Sequence, residues 1–451
     1  MNKNIYSAII DRLRELIAGT EWEGHVFAVG GCVRDSYLGN NIKDVDLAID
    51  LPMGSIKFAE WLHRKRLTAG RPIYFPKFGT AKLKLKGFGN QEIEIVQTRK
   101  GRYDAGTIDC PETVFGSILE DARRRDLTIN SLYYDVTRGE ILDPLDAGIR
   151  DLDAHQLNTP LTPADTFEDD PVRMLRVLRF HARLGWPLRS DIYESMRPYV
   201  SGLSEISAPR LGGEFFKAFS ESKTLETLDA FRDLGIFDYA LPLLNKQLEI
   251  DPEAWERIRR MTAIYEAQGN PDPAIMMAIL LHNIGLSLMP EPDEKREKEG
   301  LGQVHISSKL AKQLVKVMKV DRSVTNDIGF FIANQNRLRK AGPDGANFSD
   351  RLLKGLINAA ASPERLERLL RFIDIMNQVN DPELKNQTAA IWERAKTRFS
   401  TATKMDKAPQ KKRKGKNRNA TSEESANTAN KKKKRRRWRP RRYSKSSSNK
   451  N

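Results

Sequence analysis

Cysteine, histidine and long apolar runs are all scarce in this 451-residue sequence. Its two cysteines, Cys32 and Cys110, have neither the number nor the spacing of a disulfide framework or a cysteine zinc site, which favours a reducing cytoplasm. No apolar run reaches the roughly 18 residues of a membrane span, and the amino end lacks a signal-peptide core, so we expect no membrane segment. Six histidines leave little material for a histidine metal cluster.

Positive charge is concentrated at the carboxyl end of the chain. The net charge is +16, but residues 404–451 hold 20 Lys and Arg against three acids, so the remainder is nearly neutral. Such a segment cannot bury a core, and we predict that it is disordered. We expect it to bind an RNA backbone, with an aromatic available to stack on bases, through Lys411, Lys412, Arg413, Arg435, Arg436, Arg437 and Trp438. Ribosome association and a nuclear address are alternatives.

Two short motifs near the amino end carry the chemistry. Gly30 and Gly31 follow an apolar run and let backbone N–H groups approach a polyphosphate, which Arg34 can grip bidentately. Asp44 and Asp46 are two apart on a predicted strand, so their side chains point to one face. Two converging carboxylates suit Mg²⁺, a hard cation that takes oxygen ligands and shares them with substrate phosphates.

Together, Gly-Gly-Cys-Val-Arg-Asp at 30–35 and Asp-Val-Asp at 44–46 resemble the head of the class II tRNA nucleotidyltransferases and bacterial poly(A) polymerases, within the polymerase-β-type nucleotidyltransferases. The resemblance places Asp35 in the nucleotide-binding motif. It implies an α+β fold in which a nucleotidyltransferase head with a mixed sheet precedes all-helical domains. We accordingly predict a head at 1–145, a helical neck with a base-reading motif at 146–240, a helical RNA-binding body at 241–400 and the basic tail at 401–451.

A third acid follows in the family's order. Residues 82–85 and 92–95 alternate at period two, which predicts two strands with Ile93 and Ile95 buried. Glu94 lines up with the family's third carboxylate and would help Asp44 and Asp46 to hold metal. A solvated strand face is the alternative interpretation of Glu94.

The segment Arg-Arg-Arg-Asp-Leu-Thr-Ile-Asn at 123–130 is similar to another family motif. By this resemblance Arg125, Asp126 and Asn130 contact the sugar and phosphates of the nucleotide. The alternative is a solvated helix end.

The base-reading motif of the family is matched by Asp170 and Arg173, at the start of a helix that Pro171 initiates. A carboxylate accepts a hydrogen bond from the exocyclic amine of cytosine or adenine, and a guanidinium donates to the neighbouring ring nitrogen. Uracil and guanine present the opposite pattern. The two residues can therefore select C and A without a template, although an acidic helix cap with an ion pair explains them as well. Arg176 on the same helix is included among the expected nucleotide-binding residues.

Two helical segments resemble further parts of the family. Ser207, Arg210 and Glu214 match a neck motif in which the Arg and the Glu brace the base-reading helix. His282-Asn283 resembles the metal-dependent phosphohydrolase helix of some relatives, but neutral Asn is a poor substitute for a metal-ligating Asp. We therefore expect a metal-free scaffold helix there.

These residues predict a template-independent RNA 3′-end nucleotidyltransferase that adds CMP or AMP from CTP or ATP. Two Mg²⁺ ions would activate the RNA 3′-hydroxyl and neutralise the leaving pyrophosphate. CCA addition to the tRNA 3′ end is the leading prediction, because the segment 77–81 and the phosphohydrolase-like helix resemble CCA-adding enzymes. Poly(A) tailing of RNA is the close alternative, favoured by the segments 114–118 and 128–134. A non-catalytic, ribosome-associated RNA-binding protein and a phosphohydrolase are the alternatives of other classes. The sequence does not indicate an oligomeric state.

Overall fold

The computed structural model describes residues 5–42, 44–101, 114–220, 223–282, 321–339, 342 and 348–406. The chain divides into two compact units, Met1–Ser400 and Thr401–Asn451. Of the second unit, residues 401–406 are described, as part of a helix. The seven tail residues that we expect to bind RNA lie outside the described residues.

Seven strands form a mixed sheet in the head, in the order β3-β4-β5-β2-β1-β6-β7. The strands are β1 (Val26–Val29), β2 (Val45–Ile49), β3 (Ile73–Phe75), β4 (Thr80–Leu83), β5 (Ile93–Gln97), β6 (Tyr133–Asp135) and β7 (Glu140–Leu142). Strands β2 and β5 pair in parallel, and the other neighbours pair antiparallel. A parallel pair needs a crossover, which passes here through a helix and the β3–β4 pair.

The two faces of this sheet are covered differently. Ile93 and Ile95, buried as predicted, point to the face that packs in the main core with the first helix, α1 (Ile5–Ile17). Asp46 and Glu94 project to the opposite face, because side chains alternate along a strand. That face carries a small apolar cluster made of Phe27, Val29, Ala48, Ala122 and Tyr133. The carboxylates therefore lie on the thinly covered side of the sheet.

Helices make up most of the rest of the described chain. The head also holds α2 (Gly31–Tyr37), α3 (Gly54–Arg64) and α4 (Ile118–Arg123). After β7 come α5 (Gly148–Asp153), α6 (Pro163–Asp169), α7 (Val172–Leu184), α8 (Ser190–Glu194), α9 (Ala208–Ala218), α10 (Thr224–Asp233), α11 (Phe237–Ala240), α12 (Pro242–Ile250), α13 (Ala254–Ala267), α14 (Pro273–Leu281), α15 (Arg322–Arg339), α16 (Asp350–Ala360), α17 (Pro363–Asn380) and α18 (Gln387–Asp406). The predicted α+β fold, a mixed sheet followed by helices, is confirmed. Within the described ranges, no helix combines the length and apolarity that crossing a bilayer requires.

Helix α7 brings the helical region to the site. Pro171 precedes its first residue, and Gly185 ends it with a φ of 69°, in the left-handed region that glycine adopts without strain. Its apolar residues are buried in the main core, so the helix has a defined rotation about its axis. This rotation presents Arg173 and Arg176, near its amino end, to the segment that follows α4.

Candidate active site

The glycine turn joins β1 to α2. Gly30 has a φ of 74°, and a Cβ at this position would lie 3.4 Å from Arg125 Nη1. A side chain there would therefore be strained and would crowd the guanidinium. The Gly30 N–H donates to the carbonyl oxygen of Leu132 at 3.2 Å, so this amide is already satisfied within the fold.

Two acids and a lysine form a row across three neighbouring strands. Asp46 is in register with Glu94, and Glu94 with Lys82 of β4. Lys82 Nζ lies 2.9 Å from Glu94 Oε2. Burial raises the pKa of Asp46 to about 6, and the negative charges of Glu94 and Asp44 add to the effect. Asp44 itself is exposed, directly before β2.

The carboxylates of this row have the oxygen donors that Mg²⁺ requires. In the part of the chain that the structure describes, no group of three or more His, Cys, Asp or Glu side chains is arranged to hold a metal ion. Asp46 and Glu94 are nevertheless adjacent, partly buried carboxylates whose mutual repulsion a divalent cation would relieve, and hard oxygen donors are the ligands that Mg²⁺ takes. The residues present therefore fit the ion chemically.

Arg125 is held in place by two residues of the head. Its Nη2 donates to Asp121 Oδ2 at 2.9 Å, and Tyr133 Oη donates to the same carboxylate oxygen at 2.5 Å. Asp121 lies on α4, whose start is fixed by a capping box between Ser117 and Glu120. The pair leaves Arg125 oriented towards the glycine turn.

Asp126 connects the head to the helical region. Its Oδ2 accepts from Arg176 Nε at 2.8 Å, and Arg176 Nη1 donates to Glu214 of α9 at 3.0 Å. Burial acts to raise the pKa of Asp126, but the charge of Arg176 and a hydrogen bond from Asn130 outweigh it and lower the pKa to about 2. Asp126 is therefore a permanently charged anchor at neutral pH.

The two predicted base-reading residues are braced on several sides. Asp170 is 3% exposed and forms an ion pair with Arg210 of α9. Arg173 Nη2 lies 2.8 Å from Asp169 Oδ2, and the same guanidinium donates to the carbonyl oxygens of Thr166 and Arg124. The contacts of Arg210 with Asp170 and of Glu214 with Arg176 confirm the expected bracing by the neck motif.

Arg34 does not reach the site as expected. Its guanidinium is 1% exposed, donates to both carboxylate oxygens of Asp35 at 3.0 and 2.9 Å, and packs over the Phe180 ring. Its Nη1 donates to the side-chain oxygen of Asn130, whose amide nitrogen donates to Asp126. Arg34, Asp35 and Asn130 therefore form a buried network behind Asp126, and their assignment to nucleotide binding stays a prediction. The Arg34–Asp35 ion pair takes a further partner, Asn130, from a distant segment. The motif at 30–35 alone does not reveal this contact.

A cavity of about 450 Å³ joins most of the remaining site residues. Of the predicted set, it is lined by Asp46, Glu94, Arg125, Asp126, Asp170, Arg173 and Arg176. Its lining also includes residues for which no role was predicted, namely Arg99, Asp121, Arg124 and Lys217. The Ser-x-x-Glu capping signature at 117–120 could have indicated the helix that carries Asp121. No comparable sequence pattern indicated a role for Arg99, Arg124 or Lys217.

His282 is buried within the helical region. Its Nδ1 lies 2.7 Å from the carbonyl oxygen of Ile279, and burial lowers its pKa to about 4. Asn283 lies outside the described residues.

A mixed sheet with paired carboxylates on its open face, beside an arginine-bearing helix, is the arrangement that the sequence predicted for a nucleotidyltransferase. Residues 26–158 match the family model of the "Poly A polymerase head domain", and residues 187–248 match the "Probable RNA and SrmB- binding site of polymerase A". Residues 26–158 are thus similar to a poly A polymerase head domain, and the resemblance to tRNA nucleotidyltransferases and bacterial poly(A) polymerases is confirmed.

Individual relatives include both kinds of enzyme. Poly(A) polymerase I of Haemophilus influenzae is 31% identical over 229 residues, which are 49% of this chain and 48% of that protein. The CCA-adding enzyme of Latilactobacillus sakei is 29% identical over 253 residues, 56% of this chain and 59% of that protein. The chain thus spans about half the length of these curated relatives.

The fold as a whole is similar to solved structures. A Thermotoga maritima CCA-adding enzyme complexed with tRNA has a TM-score of 0.53 and 20% identity, covering 87% of this chain and 82% of that one. The likeness extends beyond the head into the helical region.

Proposed function

We propose that this protein is a template-independent nucleotidyltransferase that adds CMP and AMP to RNA 3′ ends from CTP and ATP. One observation carries the proposal: a single cavity has Asp46 and Glu94 among its lining residues together with Asp170 and Arg173. The first pair is suited to metal-assisted phosphoryl transfer and the second to the recognition of a nucleobase. A site that only bound RNA would have no use for adjacent, partly buried carboxylates that repel each other.

Asp44, Asp46 and Glu94 are the residues that would hold Mg²⁺. When bound, the ion lowers the pKa of the attacking hydroxyl and neutralises charge on the leaving pyrophosphate. Lys82 balances one of the three negative charges through its ion pair with Glu94.

Arg125 and Arg99 supply positive charge for the triphosphate along the same cavity. Because Arg125 is held by Asp121 and Tyr133, little side-chain entropy is lost when it receives a phosphate. Asp170 accepts from the exocyclic amine of the base, and Arg173 donates to the ring nitrogen beside it. The contacts from Arg210 and Asp169 keep these two side chains in place.

The favoured product is the CCA end of tRNA, with poly(A) tailing as the second candidate. Relatives named for both activities match the chain over similar lengths, which supports the shared chemistry rather than one product. The deciding experiment incubates the full chain and Mg²⁺ with tRNA that lacks its 3′ end and with CTP, ATP, UTP and GTP, singly and together. Addition of C, C and A that then stops supports CCA synthesis, and a lengthening adenosine ladder supports tailing.

Absence of any nucleotide addition in this assay, with RNA binding retained, would favour the non-catalytic RNA-binding alternative.

The basic tail from Lys411 to Trp438 is proposed to raise RNA affinity without selecting a sequence. A cytoplasmic location stays a prediction from the sequence.

A further inference from the structure

The face of the sheet that carries the carboxylates continues outwards to an exposed edge. Ile73 of β3 is in register with Lys82 of β4, Lys82 with Glu94, and Glu94 with Asp46. Residues in register on neighbouring strands project to the same face. Ile73 therefore lies on the face of Asp46, three strand spacings or about 14 Å away.

A second row runs beside the first. Phe75 is in register with Thr80, and Thr80 with Val96, which packs on the small apolar cluster of the same face. Ile73 and Phe75 are 56% and 38% exposed. Two large apolar side chains are thus partly exposed on the carboxylate face of the sheet.

Positive charge lies beside these side chains. Lys84 is exposed two residues after Lys82, and its Nζ has a neutral partner, Asn90 Oδ1 at 3.4 Å. Lys82 pairs with Glu94 and Glu92. We define the outer platform as Ile73, Phe75, Lys82 and Lys84.

The cavity occupies the other side of the carboxylates. From Asp46 and Glu94 it extends to α4, α7 and α9, through Arg125, Arg173 and Arg210. An attacking 3′-hydroxyl must approach the α-phosphate roughly in line with, and opposite to, the leaving pyrophosphate. The RNA strand therefore needs a surface that the nucleotide does not fill, and the outer platform is continuous with the reacting carboxylates.

Resting on the proposed function, we propose that the outer platform binds the last nucleotides of the RNA strand, just upstream of its 3′-hydroxyl. Protein surfaces that bind single-stranded RNA combine exposed apolar and aromatic side chains with lysines, because bases stack on the rings and phosphates pair with the cations. Ile73 and Phe75 provide the stacking surface, and Lys84 contacts the backbone. A protein strand is a poorer occupant, because β3 has three residues and is followed by Pro76 and Lys77, which oppose edge pairing.

The test compares Phe75→Ala and Lys84→Ala with matched controls in the full-length chain. Leu352→Ala removes an apolar side chain that is 44% exposed on α16, and Lys57→Ala removes an exposed lysine of α3, the helix that packs on the other face. Loss of one stacking contact raises the KM for RNA by roughly fivefold to 50-fold. The kcat at saturating RNA and the KM for the nucleotide stay within about twofold of the wild-type values. Phe75→Trp keeps an aromatic ring, so its KM for RNA is close to that of the wild type.

Three results would overturn the proposal. One is an RNA KM unchanged by Phe75→Ala and Lys84→Ala; another is an equal effect of the two control substitutions. The third is a shift of Phe75→Ala from dimer to monomer in light scattering with no change in RNA binding, which would make the platform a contact between copies. If the wild-type chain adds no nucleotide, the proposed function fails, and fluorescence anisotropy of a short single-stranded RNA on the same variants still decides whether the platform binds it.

Discussion

Arg176 of α7 binds Asp126, fifty residues earlier in the chain, with Nε 2.8 Å from Oδ2. The same guanidinium binds Glu214 of α9 at 3.0 Å, so one side chain joins the head to two helices of the neck. Both carboxylates are more than nine-tenths buried. We expect this link to fix the geometry between the carboxylates of the sheet and the residues proposed to read the base.

Replacing Arg176 should therefore destabilise the fold. Arg176→Met leaves Asp126 and Glu214 without their shared counter-charge, and we expect the free energy of unfolding in urea to fall by about 3 kcal/mol. Arg12→Met is the control, because its pair with Glu15 is 46% and 66% exposed and contributes below about 1 kcal/mol. Equal losses in the two variants would contradict the proposed link.

Asp46→Asn should separate catalysis from stability. The substitution removes a carboxylate that burial and Glu94 hold at a raised pKa, so the melting temperature should stay constant or rise. Nucleotide addition should fall by at least about 100-fold, because a metal-ligating oxygen is lost. A folded Asp46→Asn enzyme with wild-type activity would remove the catalytic assignment, and a lower melting temperature would contradict the expected relief of repulsion.

Asp170→Asn should relax base selection. An amide can donate to the O4 of uracil where the carboxylate only accepts, so the ratio of UTP to CTP incorporation should rise by roughly tenfold. Single-nucleotide addition assays measure the ratio, and thermal melting checks that the buried contact with Arg210 has not unfolded the neck. A ratio equal to that of the wild type would show that the base is read elsewhere.

Because of His282, the free energy of unfolding should decrease as the pH is lowered from about 6.5 to about 4. Its pKa is about 4 in the folded protein, whereas an unfolded histidine binds a proton near pH 6.5. Between these pH values the unfolded chain binds a proton that the folded chain does not bind. Acidification therefore lowers the free energy of unfolding by on the order of 3 kcal/mol, and the decrease is complete below pH 4. His282→Gln should flatten this part of the pH profile in urea unfolding; an unchanged slope would assign it to other groups.

Gly148 and Gly355 should respond oppositely to alanine. A Cβ at Gly148 would lie 2.7 Å from the Thr128 carbonyl oxygen and 2.8 Å from Leu132, so Gly148→Ala should cost about 1–3 kcal/mol. Gly355 is inside α16 with nothing within 4 Å of the added atom, so Gly355→Ala should gain about 0.5–1 kcal/mol. Calorimetric melting of both variants checks the pair, and a stable Gly148→Ala would contradict the close packing.

Much of this protein could be predicted from local patterns. Alternation at period two predicted buried Ile93 and Ile95 with Glu94 on the other face, and Pro171 predicted the start of α7. These succeed because the direction of a side chain along a strand or helix depends on its near neighbours. Arg34 was assigned to phosphate because a guanidinium beside a glycine turn can bind phosphate bidentately, whereas in the structure it binds Asp35 and also Asn130, 96 residues away.

The chain itself determines the order of the motifs, the strand that holds Asp46 and the proline that starts α7, since short-range sterics and side-chain periodicity set them. Which arginines face the cavity and which become buried braces was decided only when the head packed against α7 and α9. A guanidinium taken out of water must be paired, and its partners come from distant segments that tertiary packing alone brings within reach.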